Sequence, residues 1–175
     1  DEEDTSNAEE SETGDTDEEP SEGEPAGADG SREAPYAVGD EFTLGDWTVT
    51  IVDADVDATD AIMSENEFND PPADGRQFVM FGVEATYNGE DTGTAWLDLG
   101  FQILGSEGNT FGTGMEDMCG VIPDDLTNEG EAFPGATVSG NSCVSVPSEQ
   151  IDGALLIAEP SFSFDDERVF VSLDG

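Results

Sequence analysis

Forty-four carboxylates against three arginines constrain this chain more than any motif in it. A folded body with that balance must hold together against strong self-repulsion, which salt relieves. The arginines are Arg32, Arg76 and Arg168; lysine and histidine are absent, and the formal net charge is −41. Such a chain has no histidine base, no lysine Schiff base, no P-loop lysine and no imidazole ligand for zinc. A nucleic-acid partner is close to excluded, because phosphate binding requires a basic footprint. A lysine-free, carboxylate-rich composition is the one expected of a protein that works in high salt. A dedicated cation-binding surface is the alternative reading.

At 175 residues the chain has room for one domain, or one domain and a tail. Composition divides it at residues 34/35. Residues 1–34 hold 15 of the acids, and their only members of the hydrophobic set are Ala8, Ala26, Ala28 and Ala34. Without a large apolar side chain this stretch cannot offset its ordering entropy, so it reads as a disordered acidic linker. An acidic recognition tail is the sharper alternative, but repetitive Asp, Glu, Ser and Gly offer a partner no anchor. Residues 35–175 keep 29 acids and two arginines, together with every aromatic and branched apolar residue. That is enough apolar material for one compact core.

Period-two alternation dominates the second part. Val79, Phe81, Val83, Ala85 and Tyr87 share one face of a strand, and Glu84, Thr86 and Asn88 share the other. Phe78 and Met80 interrupt the polar face, so a loop is expected to cover that end. Trp47, Val49 and Ile51 alternate likewise before the pattern shifts to Val52, Ala54 and Val56, which predicts a bulge near Val52. Leu97, Leu99, Phe101 and Ile103 read as another strand; residues 138–146, 155–158 and 169–173 supply three more, and 42–44 a short edge. One helical turn is expected around residues 61–67. Glycine and proline punctuate these runs, as at Pro71–Pro72, Asn88–Gly89 and Pro134–Gly135. About seven short strands with long connections predict an all-β antiparallel sandwich.

Cys119 and Cys143 are the only cysteines, in no CxxC pattern and without histidine to complete a zinc site. They are expected to form one disulfide across a loop of about 25 residues, worth roughly 3 to 4 kcal/mol. Two free buried thiols are the alternative, which thiol titration of the unfolded protein distinguishes. A disulfide points to an oxidising compartment. The chain starts at Asp1 rather than Met, so a removed leader and export are expected.

Several stretches resemble a known family. They are VGDEFTLGDWTVTI (38–51), ENEFNDPPADGRQFVMFGVEATYNG (65–89), WLDLGFQILGSEGNTFGTG (96–114), CGVIP (119–123), FPGATVSGNSCVSVP (133–147) and EPSFSFDDERVF (159–170). Together they resemble the uncharacterised immunoglobulin-like domain of bacterial, actinobacterial-type exported lipoproteins, a domain of unknown function related to the mycobacterial secreted immunoprotective antigen. The resemblance implies an immunoglobulin-like β-sandwich and carries no catalytic residues. It also implies membrane anchoring through a lipidated cysteine upstream of Asp1, with residues 1–34 as the tether.

No catalytic residue, cofactor or metal ligand set is assigned. Calcium suits an acidic surface, but Asp53-x-Asp55-x-Asp57 fails as an EF-hand loop because Ala58 and Ser64 stand where glycine and glutamate are required. Asp165, Asp166 and Glu167 read as decoration of a turn. Paired carboxylates can hydrolyse glycosides, but among so many acids any pair can be proposed. Trp47 and Trp96 read as core or sheet-edge packing. The candidate contact loop is residues 66–75, with Phe68, Asn69, Pro71 and Pro72 as its surface. The competing reading has Phe68 covering the Phe78/Met80 end, and packing is the preferred expectation. The function expected is a non-enzymatic exported or cell-surface module that binds or scaffolds a protein or envelope component. A secreted calcium- or small-molecule-binding module is the alternative, and a carboxylate-dependent hydrolase the second.

Overall fold

The computed structural model describes residues 27–163 and 167–174. The expectations for residues 1–26 and for Asp165 and Asp166 lie outside the described residues. In chain order the elements are β1 (Glu41–Leu44), β2 (Trp47–Asp55), α1 (Thr59–Glu65), β3 (Arg76–Tyr87), α2 (Ala95–Asp98), β4 (Leu99–Leu104), β5 (Thr110–Phe111), β6 (Thr137–Pro147), β7 (Leu155–Pro160) and β8 (Val169–Ser172). Three short 3₁₀ turns, Met115–Asp117, Leu126–Asn128 and Ser148–Gln150, interrupt the long connections.

Two four-stranded antiparallel sheets pack face to face, in the orders β1-β2-β3-β6 and β5-β4-β7-β8. This is the antiparallel β-sandwich that the alternation predicts, of the immunoglobulin-like kind that the resemblance implies. β1, β2 and β3 run as a meander before the chain crosses to the second sheet. The central strand β3 buries Val79, Phe81, Val83, Ala85 and Tyr87 on its inner face. Leu99, Ile103, Leu156, Ala158 and Val171 of the second sheet meet them. Each fully buried large apolar side chain contributes about 1.5 to 3 kcal/mol. β3 contributes more of them to this core than any other strand, so it anchors the sandwich.

The bulge falls where the alternation breaks. Ile51 pairs with Val83 but Asp53 pairs with Gly82, leaving Val52 as the extra residue, 46% exposed. Ala54 and Val56 then rejoin the core. Gly82 is required opposite the bulge, because a Cβ there would stand 2.8 Å from the Val52 methyl.

Four differences from the sequence reading have physical causes. Leu97 belongs to α2, not to a strand, and is 43% exposed; the Asp98 carboxylate accepts the Thr94 N–H at 2.9 Å and closes a helical turn before β4 begins. The two-residue β5 is too short to show a period. Phe78 and Met80 are covered by a second small core rather than by a plain loop: Phe78 packs with Ala58 and Ile62 at α1 and with Cys119 and Ile122. Finally, residues 29–34 are tied to the domain. The Asp29 and Gly30 N–H groups donate to the Ala34 carbonyl, and Phe170 N–H donates to the Gly30 carbonyl at 2.8 Å. Backbone hydrogen bonds need no apolar side chain, so a composition break cannot locate them.

Cys119 and Cys143 form the expected disulfide, with Cα atoms 6.1 Å apart. Cys143 lies on β6 directly opposite Met80 of β3, so the bond pins the irregular segment before Gly120 onto the first sheet.

Candidate functional site

The chain between α1 and β3 makes two tight local choices. The Asn66 side chain accepts the Phe68 N–H at 2.9 Å, and the Asn66 carbonyl accepts the Asn69 N–H at 3.1 Å. Such an Asx turn supplies its own hydrogen bonds without help from a ladder. It turns Phe68 outward, where it is 85% exposed, and Asn69 inward, where it is 9% exposed.

Asn69 is therefore a brace as well as part of the groove lining described below. Its Nδ2 donates to the Ile62 and Val121 carbonyls, both at 2.7 Å, and its Oδ1 accepts the Val121 N–H at 2.9 Å. Gly120 must be glycine for this: its φ is +83°, and a Cβ would stand 2.6 Å from Asn69 Oδ1. Phe68, expected to cover Phe78 and Met80, does not do so, because α1 and the Cys119 segment already fill that place. Pro71 is exposed and Pro72 half-buried as the chain turns into β3. Replacing Phe68 with Ser is expected to leave the melting temperature within about 2 °C of the parent, since a side chain in water has little burial to lose. A loss of several degrees in a thermal melt would show that Phe68 packs after all.

The facing wall is the segment 112–121. Met115 opens the 3₁₀ turn and Met118 follows it as the extended cap, and both contribute to the wall. They are 91% and 72% exposed. Phe68, Asp70, Pro71, Met115, Glu116 and Met118 line a groove of about 410 Å³ between the two segments.

The wall is held from behind by Arg76. Its Nη2 lies 2.5 Å from Asp117 Oδ1 and donates to the Ser145 carbonyl at 2.5 Å, while Nε donates to Ser145 Oγ at 3.1 Å. The guanidinium sits 5.4 Å from the centroid of the Phe111 ring. Asp117 Oδ2 accepts the Gly112 and Gly114 N–H groups at 2.8 and 2.9 Å. Burial pushes the Asp117 carboxyl up, but those two amides and Arg76 outweigh it and hold its pKa below the ordinary 3.8. Arg76 and Asp117 are 13% and 12% exposed, so the pair is largely desolvated. Asp117, Cys119 and Asn69 thus fix three successive points of one short backbone.

The other sequence candidates are used locally. Asp53 Oδ1 accepts the Gly82 N–H and Asp55 Oδ1 accepts the Asp57 N–H. No group of three or more Asp, Glu or Cys among the described residues is placed to hold a metal ion. Trp47 is core, and Trp96 lies on α2 at 41% exposure. Met115 and Met118 were legible only as apolar residues inside an irregular acidic stretch, a weak signal without the opposite wall.

No family model matches this chain. No curated protein matches it either. Among solved structures it is similar to an uncharacterised β-sandwich protein from Clostridium difficile, at 13% identity over 86% of this chain and 100% of that one, with a TM-score of 0.48. The yjhA protein of Bacillus subtilis is similar at 16% identity over 79% of this chain and 99% of its own, with a TM-score of 0.47. A conserved hypothetical protein from Bacillus anthracis is similar at 14% identity over 77% and 94%, also with a TM-score of 0.47.

Proposed function

We propose that this chain is a non-enzymatic, exported or cell-surface binding module of the envelope, adapted to high salt, which holds a polypeptide segment in the groove between its two loops. One observation carries the reading: Phe68, Met115 and Met118 stand exposed around a groove whose backbone is braced at three points. An exposed apolar cluster on a rigid frame marks a contact surface, with Phe as a large anchor and Met as adaptable filler. Asp70 and Glu116 also line the groove, and its nearest arginine, Arg76, is committed to Asp117 and Ser145. The partner segment therefore carries apolar side chains flanked by Lys or Arg. A second copy of a chain at −41 is a poor occupant, since like charges repel. The Cys119–Cys143 bond supports export, and the resemblance to lipoprotein domains supports a tether ending at the membrane.

A fluorescein-labelled peptide of alternating Phe and Lys, set against one of alternating Ser and Lys, tests the groove by anisotropy. The Phe/Lys peptide is expected to bind at least tenfold tighter. The Phe68→Ser/Met118→Ser double variant is expected to erase that preference, while Phe133→Ser, at a 65% exposed aromatic outside the groove, leaves it unchanged. Equal binding of both peptides, or equal loss in the Phe133 variant, would sink the reading.

A further inference from the structure

A second recess lies at the other end of β3, near Tyr87 rather than Arg76. Eleven rises of about 3.3 Å, from Arg76 to Tyr87, separate it from the groove by roughly 36 Å along the strand. Its volume is about 350 Å³, and Asp46, Trp47, Tyr87, Asp98, Pro160 and Phe162 contribute to its lining. Trp47 and Tyr87 form an aromatic floor, with ring centroids 5.0 Å apart, and Phe162 stands at 78% exposure on the rim. Neither Arg76 nor Arg168 lines it, and Arg168 is paired with Glu159 at 2.8 Å.

Two polar side chains face the recess without a protein partner among the described residues. Tyr87 is 6% exposed, yet its hydroxyl has no hydrogen-bond partner among the described residues. The Asp46 side chain likewise makes no hydrogen bond or ion pair among the described residues, and it is exposed beside the recess. By contrast Asp98 is occupied: its Oδ2 accepts the Trp47 indole N–H at 3.1 Å and the Thr94 amide at 2.9 Å. Burial first, and then the charges of Asp46, Asp91 and Asp98, hold the Tyr87 phenol above its ordinary 10.0, which marks the recess as electronegative. Gly89 keeps the hydroxyl clear, because a Cβ there would collide with it.

We propose that this recess binds a small organic ammonium ion with an apolar body, its N–H groups donating to the Tyr87 hydroxyl and the carboxylates and its carbon chain lying against Phe162. Each part of the ligand answers a feature already present. A cation suits the carboxylates, an N–H donor meets a hydroxyl that no protein group engages, and an alkyl chain covers the exposed Phe162 ring. A bare metal ion answers only the first of these. The proposal is independent of the peptide groove and stands or falls without it.

The two tryptophans supply an internal control. Trp47 floors the recess, and Trp96 lies outside it on α2. The full chain, labelled with ¹⁵N, is titrated with n-butylammonium chloride in about 1 M sodium chloride, where the screening length is roughly 3 Å and diffuse attraction to the acidic surface is suppressed. The Trp47 indole resonance is expected to shift saturably with a millimolar midpoint, and that of Trp96 to stay put. Tetramethylammonium, which has no N–H, is expected to bind at least tenfold more weakly. Tyr87→Phe removes only the hydroxyl and is expected to weaken n-butylammonium about tenfold. Asp46→Asn, at an exposed side chain, is expected to weaken it about threefold and serves if Tyr87→Phe fails to fold. Absence of saturation, equal response to both cations, equal shifts of both tryptophans, or undiminished affinity in a folded variant would each overturn the assignment.

Discussion

Replacing Arg76 with Met is expected to destabilise the domain by about 3 kcal/mol, a fall of roughly 10 °C in melting temperature. The methionine restores the apolar stem but removes the charge that faces Asp117. A carboxylate that is 12% exposed then keeps two amide bonds and loses its counter-ion, while the buried Ser145 loses its guanidinium donors. Removing one partner of a desolvated pair leaves an uncompensated charge, which is why the effect exceeds that of a surface salt bridge. The same pair makes a prediction about pH. The Asp117 pKa is lower in the folded chain than its ordinary 3.8, so its contribution is complete well above 3.8 and is lost as pH falls through the depressed folded value. Acid also relieves repulsion among the other carboxylates, so the informative quantity is a difference. The stability advantage of the parent over Asp117→Asn is expected to be full at pH 6 and to shrink steadily below pH 3.8. Melts of both proteins across that range check it, and an advantage that grows toward acid would refute the depressed pKa.

Loss of the Cys119–Cys143 bond is expected to remove about 3 to 4 kcal/mol, the cost of releasing a loop whose ends lie 24 positions apart. The Cys119→Ala/Cys143→Ala double variant avoids the complication of free thiols. Local structure sharpens the expectation. Cys119 packs with Phe78, Ile62 and Ile122, so alanine also thins the small core beneath the groove. The same segment is held by Asp117 two residues earlier, so this variant and Arg76→Met should not be additive. The double cysteine variant is also expected to weaken the Phe/Lys peptide several-fold, because the wall carrying Met115 and Met118 loses one of its fixed points. Unchanged melting and unchanged affinity would mean that Arg76 and Asn69 hold the wall alone.

Much of the sandwich could be read directly from alternation. The five inward residues of β3 all prove buried, and the bulge sits at Val52, where the period slips. These features are local: side chains two apart share a face, and an extra residue must leave the ladder. Other elements were hidden because their cause lies elsewhere in the chain. Leu97 fits the same alternation but is diverted into α2 by Asp98, which holds Thr94 and the Trp47 indole. Phe78 and Met80 showed that something must cover the outer end of β3, yet not that α1 and the Cys119 segment would build a second core there.

The sequence alone determined the alternation of the layers, the absence of histidine and lysine chemistry, and the cross-link, since a chain with two cysteines and no histidine has only one disulfide to form. Which way the loop residues face was decided by tertiary structure. Asn69 and Phe68 are neighbours in an irregular segment with no period to assign them sides. Asn69 turns inward because the Val121 amide and carbonyl, 52 positions away, satisfy both ends of its side chain. Phe68 is left in water, and an apolar groove exists only because the opposite wall is fastened to the same asparagine. A strand pattern records the face of its own strand; it holds no record of a partner that distant in the chain.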